Sequence, residues 1–175
     1  MHLPTRETPA RAVPVSEVST FVEVLRERAW RQPEARVFTF VDEEGESHIS
    51  YRELDSGARA VAALLQRHLA PGDRALLLYP PGREYVLGFL GCLYAGVIAV
   101  PAYPPDPTRL GRTLPRLRAL VADCRATAAL TTSPVLDMVG FLTEDAPDLR
   151  ALRWLATDAL EPDAADAWSA PRLSS

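Results

Sequence analysis

Four arginines, Arg109, Arg112, Arg116 and Arg118, crowd the stretch where leucine spacing predicts the start of a helix. Free backbone amides at a helix start, with guanidinium groups beside them, could hold a phosphate. Leu114, Leu117 and Val121 lie on the opposite side of that helix, so the favoured reading makes the arginines its solvated face. Thr131-Thr132-Ser133 sits between a strand and a helix, the place where phosphate loops occur. It has no glycine to bring the backbone close, and Ser133-Pro134 reads as an N-cap followed by proline. His2, His48 and His68 are scattered through an N-terminal segment, a hairpin and a helix end, which supports neither a metal site nor a catalytic triad. There is no G-x-x-x-x-G-K-[ST] and no G-x-G-x-x-G. All 19 basic residues are arginine, so no step that needs a lysine ammonium belongs to these 175 residues. No catalytic, cofactor-binding or metal-ligating residue can be assigned from the sequence.

The elements that would position any chemistry are easier to read. Thr20-Phe-Val-Glu23 and Ser50-Tyr-Arg-Glu53 have capping-box spacing and open two helices, the first stopped by Pro33 and the second running to Pro71-Gly72. Between them, 37–41 and 46–50 flank the turn Asp42–Gly45 as a β-hairpin. Arg74–Tyr79 reads as a buried strand, Arg83–Ala95 as a helix apolar on nearly every face, and Val97–Val100 as a second strand. Gly88 and Gly91, one turn apart, would allow close approach of a neighbouring backbone, and Gly96 is placed for a left-handed C-cap. Four prolines make 101–111 irregular, and the next helix is entered through Thr113 with Pro115 in its first turn. A strand at 128–132, a helix from Ser133 to about Leu142 and a strand at 152–157 follow.

Strands alternating with helices from residue 74 onward imply βαβ units with right-handed crossovers. The expected fold is α/β: a three-layer parallel sheet flanked by helices, with an N-terminal β-hairpin. A mobile leader is expected at 1–18, a partial domain at 19–157, and at 158–175 an irregular tail at a truncation point, with nothing to dock against.

A net charge of −4 gives no electrostatic case for nucleic acid. The uncharged run 85–105 approaches bilayer-spanning length, but Gly88, Gly91 and Gly96 break it and Pro101 follows a strand-like Val-Ile-Ala-Val. A buried helix and strand fit better, with no membrane span. Cys92 and Cys124 fall in apolar helical patterns and read as reduced core residues of a cytoplasmic protein.

The segments TFVEVLRERAWRQPEARVFTF, ISYRELDSGARAVAALLQ, GDRALLLYPPGREYVLGFLGCLYAGVIAVPAYPPDPTRLGRTLPRLRALVADCRA and LRWLATD together resemble the N-terminal part of the adenylate-forming superfamily, from about Thr20 to Trp168. SYRELD and the GDRALLL-type strand are shared across that superfamily. The block GCLYAGVIAVPAYPP with LPRLRALVADC points to its fatty acyl-AMP ligase branch. The resemblance implies activation of a fatty acid with ATP and Mg²⁺ and transfer of the acyl adenylate to an acyl carrier protein, in lipid, polyketide or nonribosomal-peptide synthesis. The family's Ser/Thr/Gly-rich phosphate loop, aromatic–Thr–Glu segment, ribose-binding Asp and C-terminal lysine have no counterpart in this sequence. The chain alone is therefore expected to be an inactive fragment that binds no cofactor by itself. Two other readings remain open: a non-catalytic remnant or protein-interaction module, and a fragment of a fatty acyl-CoA ligase. A parallel sheet cut short in this way is expected to leave an unpaired strand edge.

Overall fold

The structure, a computed structural model, describes residues 20–42, 45–144 and 146–172. The expected leader at 1–18 and the tip of the hairpin turn lie outside them. Helix α1 (Phe21–Arg31) opens with a capping box: the Thr20 N–H donates to Glu23 Oε2 at 3.0 Å, and the Glu23 N–H donates to Thr20 Oγ1 at 3.2 Å. Strands β1 (Arg36–Asp42) and β2 (Gly45–Ser50) form the antiparallel hairpin, with a register shift between Arg36 and Phe38. Ser50 then caps α2 (Tyr51–Gln66) in the same reciprocal way, with Glu53 as the returning acid.

From residue 74 the chain alternates. Strand β3 (Arg74–Leu78), helix α3 (Arg83–Ala95), strand β4 (Ile98–Ala102), helix α4 (Leu110–Cys124), strand β5 (Ala128–Thr131), helices α5 (Ser133–Leu142) and α6 (Pro147–Arg150), and strand β6 (Arg153–Ala156) follow in order. The four strands form one parallel sheet in the order β4-β3-β5-β6. Alternation along β3 divides the core. Ala75, Leu77 and Tyr79 face α2 and α3, together with Ala128 and Leu130 of β5, while Leu76 and Leu78 face α4 and α6 through Leu117, Val121 and Leu149. The three-layer α/β architecture with an N-terminal hairpin is as the sequence implied.

Helix α3 lies so close to its neighbours that side chains would not fit at two positions. A Cβ at Gly91 would run into the Val61 side chain of α2, and one at Gly88 would stand 2.6 Å from the Tyr79 ring. What approaches these glycines most closely is side chains, rather than the backbone that their spacing predicted. Gly96 takes the left-handed cap, φ 72°, and splits the uncharged run 85–105 into α3 and β4. No helix among the described residues is long and apolar enough to cross a membrane.

Three expectations need correction. Strand β4 continues through Pro101 to Ala102, because among the described residues β4 is an edge strand with no neighbour to need the proline's missing N–H. Helix α4 begins at Leu110, not Thr113, after a short 3-10 turn at Pro107–Arg109, so that Pro115 lies inside the helix. The carbonyl that Pro115 leaves without a donor belongs to Gly111, which is exposed to water.

The third correction concerns the segment after Asp158, which does dock. A 3-10 turn at Pro162–Ala167 runs alongside α2. Ala165 is buried, and its carbonyl accepts from Arg59 Nη1 at 3.2 Å. Gln66 at the end of α2 donates to Ser169 O at 2.7 Å and accepts from Ser169 N at 3.2 Å. Trp168 donates to Tyr94 O at 2.9 Å, stacks at a tilt on the Tyr94 ring at 5.5 Å, and carries the Arg26 guanidinium over its own ring at 4.9 Å.

Candidate functional site

In open parallel sheets ligands bind beyond the carboxyl ends of the strands, and here those ends are tied together by hydroxyls. Thr131, at the end of β5, donates its hydroxyl to Leu78 O of β3 at 2.7 Å. Tyr79, just past β3, shares a 2.8 Å hydrogen bond with Thr157 Oγ1, just past β6. The Tyr79 ring lies over Gly88, and burial pushes the pKa of its phenol up against the opposing hydrogen bond from Thr157. The phenol therefore stays neutral and acts as a strut between strands, not as an acid or base.

Asp158 completes the arrangement. Its carboxylate accepts from the Ser133 N–H at 2.8 and 3.0 Å and from the Ser133 hydroxyl at 2.9 Å. The start of α5 is thus capped from 25 residues away, and the local N-cap residue, Thr132, makes no side-chain cap bond. The sequence reading placed the cap on Ser133-Pro134 themselves; they occupy the first turn, and the anion that serves it is Asp158. A carboxylate stands where a phosphate would be wanted.

Beside this network a groove of about 530 Å³ opens between the starts of α2 and α3 and the chain after β6, lined among others by Arg52, Glu53, Arg83, Glu84, Asp158 and Glu161. Several of its charges are already engaged. Glu53 accepts from the Ser50 N–H and hydroxyl, both at 2.8 Å, and these bonds, the backbone one first, hold its carboxyl below the usual range. Arg52 donates to Glu34 at 2.8 and 2.9 Å.

The other sequence candidates disperse. Arg112 and Arg116 point to solvent, Arg109 stands 3.9 Å from Asp106, and Arg118 grips Asp148 at 2.9 Å. His48 is exposed on β2, His68 at the end of α2 lies 3.5 Å from Arg153, and His2 is outside the described residues. No group of three His, Cys, Asp or Glu that could hold a metal occurs among the described residues. Cys92 and Cys124 are free thiols, and burial pushes Cys92 up to about 12, so it is inert packing. The Tyr79–Thr157 and Asp158–Ser133 bonds escaped the sequence reading. Their only trace was the Thr-Asp pair directly after a strand.

With this geometry, the comparisons with known proteins fix the class. The family model described as "AMP-binding enzyme" matches residues 25–171, and the chain belongs to that family. Among curated relatives, the medium-chain-fatty-acid–[acyl-carrier-protein] ligase JamA of Moorena producens is 38% identical over 91% of this chain and 27% of its own length. The long-chain-fatty-acid–AMP ligase FadD32 of Mycolicibacterium smegmatis is 36% identical over 70% of this chain and 19% of its own. Among solved structures, the fatty acyl-adenylate ligase from L. pneumophila, in complex with acyl adenylate and pyrophosphate, superposes with a TM-score of 0.75 at 33% identity. It is covered over 86% of this chain and 25% of its own. The chain thus spans about a quarter or less of the length of these relatives. Its fold is that of part of the N-terminal domain of adenylate-forming enzymes, and its likeness is to the fatty acyl-AMP ligases among them.

Proposed function

We propose that this chain supplies the first part of a cytoplasmic fatty acyl-AMP ligase, its domain running from residue 19 through the docked segment around Trp168 and residues 1–18 being a leader. Such an enzyme activates a fatty acid with ATP and passes the acyl adenylate to an acyl carrier protein. The observation that carries this reading is the AMP-binding match over residues 25–171 together with 38% identity to an acyl-carrier-protein ligase. ATP and Mg²⁺ are implied for the whole enzyme, but the residues present do not fit them. The chain has no lysine and no glycine-rich loop, and the α5 terminus that might take a phosphate already holds Asp158. Positioned charge around the α-phosphate supplies much of the rate in such a displacement, and this chain has no lysine to contribute to it. Its part is to build the sheet and the strand ends against which a catalytic portion is set.

The test is fatty-acid-dependent ATP–pyrophosphate exchange. The 175-residue chain alone is expected to match a no-protein control. Co-expressed with the remaining three quarters of the Moorena producens relative, it is expected to exchange with fatty acids and not with amino acids. Exchange by the chain alone, or none by the pair, would overturn the proposal. A second reading, an interaction module without catalysis, draws on 35% identity to Disco-interacting protein 2 of Drosophila melanogaster over 66% of this chain. A pair that binds tightly yet never exchanges would favour it. Acceptance by coenzyme A in place of a carrier protein remains the third reading, supported by 37% identity to the putative fatty-acid–CoA ligase FadD21 of Mycobacterium tuberculosis. Thioester formation with each acceptor separates the two ligase readings.

A further inference from the structure

Helix α1 carries three arginines, and they are not used alike. Arg26 lies over the Trp168 ring at 4.9 Å, and Arg31 pairs with Glu27 at 2.9 Å. Arg28 has no ion-pair partner among the described residues. A cation in the last turn of a helix complements its dipole, and Arg28 and Arg31 both stand there. The dipole accounts for a positive charge, but not for the surface on which the Arg28 side chain is set.

Arg28 lines a groove of about 550 Å³ between α1, β1 and the first turns of α2 and α3. Phe21, Val24, Leu25 and Arg28 form one stripe of α1 by helical spacing. The other walls include Val37 of β1, Leu54 of α2, and Val86, Phe89 and Leu90 of α3. Leu25, Leu54 and Leu90 are buried beneath it, while Phe21 and Phe38 stay exposed. Among the described residues that line the groove, Arg28 alone carries a charge. Phe21 and Arg28 stand two turns apart, about 10 Å along the helix axis. The groove is separate from the strand ends. Helix α2 turns Arg52, Glu53 and Gly57 to the charged groove described above, and Tyr51 and Leu54 to this one. Leu87 of α3, seated against Gly57, closes the contact between them.

We propose that this groove binds a monocarboxylic acid with an unbranched alkyl chain, its carboxylate on Arg28 and its chain running along α1 toward Phe21. Apolar concavities with a few placed polar groups are the usual form of small-molecule sites. A guanidinium presents a planar fork that matches a carboxylate with two parallel N–H···O bonds. One cation with no acid beside it suits a ligand with one negative head, and apolar walls suit a tail without polar groups. A carboxylate on Arg28 is parted from the strand ends by the α2–α3 contact, so this is a second site, independent of the ligase reading.

Titration calorimetry and methyl-resolved NMR of the 175-residue chain test this, with decanoate as the probe below its micelle concentration. Saturable one-site binding is expected, with shifts at the methyls of Leu25, Leu54 and Leu90. Affinity should rise about fourfold per methylene from hexanoate to decanoate, and decanol should bind about tenfold more weakly than decanoate. Arg28→Gln should erase that preference by weakening decanoate alone, whereas Arg112→Gln, at a solvent-facing arginine, should change nothing. If Arg28→Gln fails to fold, the comparison of decanoate with decanol on the parent still decides. Absence of saturable binding overturns the proposal, as do equal affinities for acid and alcohol or shifts centred on α5. Binding only after removal of residues 1–18 would make that segment the occupant. Binding only to anionic phospholipid vesicles would make the groove a membrane face, and self-association that decanoate cannot reverse would make it a contact between copies. Each of these also overturns it. Pyrophosphate exchange by the co-expressed pair separates the two claims. An active pair whose chain does not bind decanoate sinks this site and keeps the ligase, and decanoate binding in an inactive pair does the reverse.

Discussion

The two faces of the sheet are packed to different standards. On the α2–α3 face, Leu54, Ala58, Leu65, Leu77, Cys92 and Tyr94 are all but sealed from solvent, and Gly91 lets Val61 into the space a side chain would fill. On the opposite face, Leu117, Val121 and Leu149 make a thinner core, Met138 and Phe141 of α5 are exposed, and Gly140 has open space around it. The first face is sealed at its centre and leaves apolar side chains only at its rim, Phe21 and Trp30 of α1 and Phe38 and Val41 of β1. The second is covered by helices that keep apolar surface exposed along α5.

The sharpest way to break this contrast is to place the same change on each face. Gly91→Leu is expected to destabilise by about 3 kcal/mol or more, since overpacking against Val61 has nowhere to relax. Gly140→Ala is expected to stabilise by about 0.5–1 kcal/mol, because it removes a flexible residue from a helix interior without meeting a neighbour. Denaturant midpoints decide, and a Gly91 variant as stable as the parent would end the distinction. Trp168→Ala comes next, at about 2 kcal/mol, through loss of the ring packing on Tyr94 and the bond to its carbonyl. The same variant should expose the α2 flank to proteolysis.

Ser50→Ala is expected to cost about 1 kcal/mol by opening the α2 capping box. It also removes a pH dependence. Glu53 titrates below its unfolded value, so the stability it contributes is present above that value and is lost as pH falls through the folded one. Acid titrations of the melting temperature should therefore steepen less in the variant than in the parent. Smallest of all, Arg118→Ala should change stability by no more than about 0.5 kcal/mol, because its pair with Asp148 is exposed on both sides. A larger loss would mean that the thin face depends on charge more than on its leucines.

Legibility followed the range of the interactions. Both capping boxes, the hairpin, the alternation of β3 to β6 and the cap at Gly96 depend on residues a few positions apart, and all could be read directly. The apolar run at 83–95 announced a helix packed on more than one side. What failed depended on distant partners. Pro101 could join a strand only because β4 is an edge, and α4 could start a turn early only where water serves the Gly111 carbonyl. The segment after Asp158 carries no apolar period, because it docks through Trp168 and backbone bonds, not through an amphipathic stripe. At the candidate site, the resemblance pointed to the family, while the Tyr79–Thr157 and Asp158–Ser133 ties needed the strand order, which local pattern does not contain.

The clasp between Gln66 and Ser169 also has a meaning in time. Its partners stand 103 residues apart, so a ribosome adding about 5–20 residues per second releases the second roughly 5–20 s after the first. During that interval α2 can form and take α3 against Gly57 and Gly91, but the flank that Ala165 and Trp168 will cover stays wet. The newborn chain must carry that stripe through the exit vestibule unprotected. It is a surface to which a chaperone could bind during that interval.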